Sequence, residues 1–117
     1  MTQKKLHEFI KAIKRNDVNT ITSLIESGID VNSYNEQGLT PLCIAAAKGN
    51  KSILQLLLNA GAEINKPSKT GFTPLTWAAQ ASQNEAVRYL SEMGGKHEEI
   101  NPWIKNFKRV YPELDID

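Results

Sequence analysis

The sequence predicts an all-α solenoid: three stacked helix-turn-helix repeats with β-hairpin-like loops, closed by a C-terminal capping helix. Three observations predict it. The stretch Gly38-Leu39-Thr40-Pro41-Leu42-Cys43-Ile44-Ala45-Ala46 returns 33 residues later as Gly71-Phe72-Thr73-Pro74-Leu75-Thr76-Trp77-Ala78-Ala79. The register holds beyond the motif, with Leu57 recurring as Leu90 and Gly61 as Gly94, and it runs backwards onto Ala12, Leu24, Gly28, Val31 and Asn32. Each interval also carries two short apolar runs at helical spacing, separated by turn-forming residues. A fixed period of this size marks units that cannot bury an apolar face alone and must stack on one another. The chain is therefore expected to be one domain over 1–117, with repeats at about 3–34, 35–67 and 68–98 and a cap and tail over 99–117.

The first repeat is degenerate, with His7-Glu8-Phe9 where its successors have Thr-Pro-Leu. Its helical period survives, because Leu6, Phe9, Ile10 and Ile13 fall on one stripe. Lys5, Lys11, Lys14 and Arg15 lie off that stripe and give the terminal repeat a polar outer face. A second helix after Asn16-Asp17 carries Ile21, Leu24 and Ile25 and closes at Gly28. In the second repeat Thr40 is a helix cap and Pro41 a first helical residue with no amide to leave unpaired. Ala45 and Ala46 let two antiparallel helices approach closely across the turn Lys48-Gly49-Asn50. Ile53, Leu54, Leu57 and Leu58 then supply core, each worth about 1.5–3 kcal/mol on burial. The third repeat follows the same plan with Pro74, Leu75, Ala78, Ala79, Val87, Leu90 and Met93, but has Ser82-Gln83 in place of Gly49-Asn50. Beyond the period, Asn101-Pro102 opens an aromatic helical stripe of Trp103, Ile104, Phe107, Val110 and Tyr111, either a cap over the third repeat or a docking segment.

The G-x-T-P-L pattern followed by Ala-Ala, with Leu-Leu and Gly-Ala-Glu-Ile-Asn further on, resembles the ankyrin repeat over roughly Gln3 to Asn101. The family often has histidine after Thr-Pro-Leu, bridging neighbouring repeats; Cys43 and Thr76 stand there in this chain. The resemblance implies a concave binding face built from residues around each turn glycine and late in each first helix. Carried over by position, these are Tyr34, Glu36, Gln37, Leu39, Ala47 and Lys48 in the second repeat. The third repeat gives Pro67, Lys69, Thr70, Phe72, Gln80 and Ala81, and the first gives Lys11, Lys14 and Arg15. Trp77 and Ile44 share the same helices. Asn32 and Asn65 also resemble the loop asparagines hydroxylated in some ankyrin proteins.

Tyr34, Leu39, Phe72 and Trp77 read either as interface anchors or as packing between adjacent loops, since large aromatics serve both ends. Lys14, Arg15, Lys48 and Lys69 would place a positive rim around them, which points to an acidic partner.

Other chemistries find little to build on. With a net charge of +1, no overall field favours nucleic acid or an anionic membrane, although Lys4, Lys5, Lys11, Lys14 and Arg15 make the N-terminal quarter basic. The one cysteine, Cys43, gives no disulfide framework and suits a reducing, cytoplasmic setting. His7 and His97 belong to opposite ends of the stack and cannot share a metal. No converging set of catalytic groups and no phosphate-binding loop is visible, so the sequence predicts neither an enzyme nor a cofactor or small-molecule substrate. The expected function is a non-catalytic protein-binding module, monomeric by itself, acting as an inhibitor, adaptor or immunity-type protein. The competing reading is an assembly subunit that stacks end to end or docks through its C-terminal aromatic helix.

Overall fold

Among the described residues six helices form where the period places them: α1 (Gln3–Arg15), α2 (Val18–Glu26), α3 (Pro41–Lys48), α4 (Lys51–Asn59), α5 (Pro74–Gln80) and α6 (Asn84–Glu92). The structure, a computed structural model, describes residues 3–97. The expected capping helix over 102–111 lies outside the described residues.

Four of these helices start at a side-chain cap. The Thr40 hydroxyl accepts from the Cys43 N–H at 3.1 Å, and Thr73 accepts from Thr76 N–H at 3.4 Å, each followed by proline as the first helical residue. Asp17 and Asn50, one period apart, cap α2 and α4 through Thr20 N–H and Ile53 N–H. The two hydrogen bonds from Thr20 hold the Asp17 carboxyl below its ordinary 3.8. A lowered pKa means that this cap is intact above pH 3.8 and is lost as pH falls through the lower folded value.

Position 83 breaks the pattern. Gln83, one period after Asn50, makes no side-chain cap for α6; its longer amide reaches across to the Ala47 carbonyl at 3.0 Å, tying the third repeat to the second.

The residue just before these caps is left-handed in all three repeats: Asn16 at φ 59°, Gly49 at 79° and Ser82 at 58°. Glycine adopts this conformation freely and asparagine tolerates it, whereas serine is held there against its preference. Ser82→Gly is therefore expected to stabilise the fold by about 0.5–1 kcal/mol after the entropy of the freer unfolded chain is deducted, read from thermal unfolding.

The helices pair as α1/α2, α3/α4 and α5/α6, and the pairs stack through α1 on α3, α3 on α5 and α4 on α6. The core is one continuous run through Phe9, Ile13, Ile21, Leu42, Ile53, Leu54, Leu57, Leu75, Val87 and Leu90, all fully or almost fully buried. Ala45, Ala46 and Ala78 have no exposed surface, which is what the close approach of α3 and α5 requires. Met93 corrects the sequence reading: it is 52% exposed, because α6 stops at Glu92 and the chain turns away through Gly94.

No strand forms among the described residues, but the loops between repeats have hairpin-like tips of constant geometry. Asn35 N–H donates to Leu39 O and Gly38 N–H to Asn35 O; one period later Ser68 N–H donates to Phe72 O and Gly71 N–H to Ser68 O.

Candidate functional site

Two layers of polar bonds hold the tips in a row. At the loop bases, Asn32 Nδ2 donates to the Gly61 carbonyl at 3.1 Å while Glu63 N–H donates back to Asn32 Oδ1 at 2.8 Å. Asn65 repeats the arrangement with the Gly94 carbonyl at 3.2 Å and Lys96 N–H at 2.7 Å. At the tips, Lys69 N–H donates to Gly38 O at 2.8 Å, and a side chain at Gly38 would collide with the Lys69 stem. Asparagine amides thus join neighbouring repeats, and Cys43, standing where the family often has histidine, also reaches the next repeat, its thiol donating to the Phe72 carbonyl at 4.0 Å.

The predicted site residues fall into three groups on this frame. Tyr34 is half-buried and donates its hydroxyl to the Pro67 carbonyl of the next tip at 2.9 Å. Two ammonium groups share its ring, Lys66 Nζ at 4.7 Å and Lys69 Nζ at 5.3 Å from the centroid. Lys66 also donates to the Asn32 carbonyl at 2.7 Å. Tyr34 is therefore a strut between adjacent tips that leaves part of its ring in a strongly positive setting.

The second group lies on the third repeat. Half-buried Phe72 meets half-buried Trp77 edge to face, with centroids 6.0 Å apart and planes at 80°. The Trp77 indole N–H points to Ser68 Oγ at 3.4 Å, and Ser68 Oγ lies 2.6 Å from the hydroxyl of exposed Thr70. Leu39, one period before Phe72, is also half-buried against the core edge.

The third group flanks a cavity of about 250 Å³ at the N-terminal end, between α1 and the first tip. Lys14 lines it from the helix, and Glu36 and Gln37 line it from the tip. Arg15 sits at the end of α1 beside Asp17. Lys48 is exposed at the end of α3, and Gln80 is half-buried at the end of α5. Among the described residues no hydrogen bond or ring contact ties Lys48 or Gln80 to the three groups.

Lys66 was missed by sequence reasoning. Its only sequence signal is its place one residue past Asn65 in the repeat register; its position over Tyr34 depends on how adjacent tips stack. Cys43 is buried and forms no disulfide among the described residues. Among the described residues no group of histidine, cysteine, aspartate and glutamate could hold a metal ion, and no helix is long and apolar enough to cross a membrane.

A family model for ankyrin repeats in three copies matches residues 9–103. The chain belongs to the ankyrin repeat family. Ankyrin repeats generally mediate protein–protein interaction, and the family is typically non-catalytic. The match accounts for six helices in three stacked pairs, and the ankyrin tips in this chain carry every half-buried aromatic described above except Trp77, which lies in α5. No curated protein matches the chain.

Proposed function

We propose that this ankyrin repeat protein is an inhibitor, adaptor or immunity-type protein, acting in the cytoplasm as a monomer, that grips the acidic surface of a partner with its tips and the first helix of each repeat. The observation that carries the reading is the pairing of half-buried aromatics with uncompensated positive charge. Lys66 and Lys69 crowd the Tyr34 ring, Lys14 lines the cavity beside the first tip, Lys48 stands exposed at the end of α3, and none of the four pairs with a carboxylate among the described residues. Aromatic patches rimmed by unpaired cations favour a partner that brings carboxylates and an apolar centre.

Capture from a native lysate should recover one partner at 1:1 stoichiometry. Reversing the rim with Lys14→Glu and Lys69→Glu should weaken the complex at least about tenfold, mainly through slower association, and flatten its salt dependence. An unchanged affinity in the reversed protein would remove the acidic partner from the reading.

A further inference from the structure

The repeat register shows that, among the described residues, the first tip has no tip preceding it. Lys69 N–H, on the second tip, donates to Gly38 O on the first at 2.8 Å. One period earlier the equivalent donor is Glu36 N–H, and its acceptor would belong to a tip preceding the first. That position falls at Lys5, inside α1. Among the described residues Glu36 N–H accordingly meets no acceptor. The cavity of about 250 Å³ lies beside this open donor.

Its lining has a definite chemistry. Leu6 and Ile10, at i and i+4 on α1, present the edges of nearly buried aliphatic side chains. His7, Lys11 and Lys14 are exposed along the same helix, against the single carboxylate of Glu36 on the opposite wall. An extended chain sends alternate side chains to opposite faces and repeats each face about every 6.6 Å; Lys11 and Lys14, three residues apart on α1, are roughly 4.5 Å apart along the helix axis, a difference that long lysine stems can span.

We infer that this vacancy receives an extended segment of the partner in which acidic and aliphatic residues alternate. A carbonyl of the segment accepts Glu36 N–H as Gly38 O accepts Lys69 N–H. Its aliphatic side chains cover Leu6 and Ile10, and its carboxylates meet Lys11 and Lys14. Main-chain bonding to an open edge, with alternate side chains read by the walls, is an established mode of peptide recognition. The inference rests on the concave-face reading above and narrows it to one chemistry at one end of the face.

The probe is an end-blocked Glu-Leu-Asp-Ile-Asp peptide added at about 1 mM to the full chain, with Glu36 amide hydrogen exchange read by NMR. The expected result is slowing of the Glu36 amide by at least about tenfold, absent with Lys-Leu-Lys-Ile-Lys or Glu-Ser-Asp-Ser-Asp and absent in the Lys11→Glu/Lys14→Glu protein. Amides of α3 and α4 report whether that variant keeps its fold, and Glu36→Gln, which removes the opposing carboxylate, should strengthen peptide binding severalfold. No slowing, or equal slowing with the reversed peptide, overturns the proposal. Glu36 protection already present without peptide also overturns it: if independent of protein concentration it assigns the vacancy to the chain's own Glu113-Leu114-Asp115-Ile116-Asp117, and if lost on dilution, to a second copy. Because no partner is needed, failure here leaves lysate capture and its rim variants as an independent test of the concave face.

Discussion

Leu54→Ala is expected to lower the unfolding free energy by about 3–4 kcal/mol. Leu54 has no exposed surface and sits in α4, the second helix of the middle repeat. Its loss removes the transfer energy of the side chain and leaves a void that close-packed neighbours fill only in part. Position within the array adds to this. Stability in a stacked repeat protein is the sum of unit stabilities and interfaces with nearest neighbours, so a fault in the middle unit weakens two interfaces, whereas one at an end weakens one. Against a total of about 5–15 kcal/mol for a folded chain, such a loss is a large fraction of the stability and should lower the urea midpoint clearly. Urea unfolding followed by far-ultraviolet circular dichroism measures it, with Leu58→Ala as internal control. Leu58 is on the same helix but only half-buried, and should cost about 1 kcal/mol. Equal losses at the two positions would mean that α4 is not seated in the core as described.

What could be read from the sequence follows from what the period encodes. Cap, turn and core positions are local, so Thr40-Pro41, Thr73-Pro74 and the Leu57/Leu90 pair identify their helices without knowledge of neighbours. Met93 goes astray when apolar character is weighed above register. Its equivalents one and two periods earlier are Ala60 and Ser27, both at helix ends, and the structure places Met93 at the corresponding C-cap.

The site is less legible. Tyr34, Phe72 and Trp77 can be named as a set, but whether each packs or projects depends on the tip of the adjoining repeat. That same geometry brings Lys66 over the Tyr34 ring and carries the Asn32 and Asn65 amides to carbonyls 29 residues away. The Glu36 amide, without an acceptor among the described residues, is subtler still: it emerges only when the second tip shows what the first should have had.

Leu39→Lys combined with Phe72→Lys is expected to abolish partner binding, a loss of at least about a hundredfold, while the stack stays folded. Both residues follow the turn glycine of their tips, both are half-buried, and neither belongs to the fully buried core. The backbone bonds that shape the tips run through Leu39 O and Phe72 O, which any side chain leaves intact. A lysine stem can lie along the apolar edge each residue now covers and carry its ammonium to water, so the structural cost should stay near ~1 kcal/mol per site. Two charges at the centre of an apolar contact have no such escape once the partner closes over them, because burying an unpaired ammonium costs several kcal/mol. Trp77 is the sensitive control: it keeps its place only if the neighbouring tip does, so its fluorescence should shift slightly with the loss of the Phe72 ring and still melt cooperatively with the helices. Lost binding with a cooperative melt within a few degrees of the parent assigns these two side chains to the interface. A broad or absent melt assigns them to the packing between tips, and the binding face would then have to be sought on the lysine rim alone.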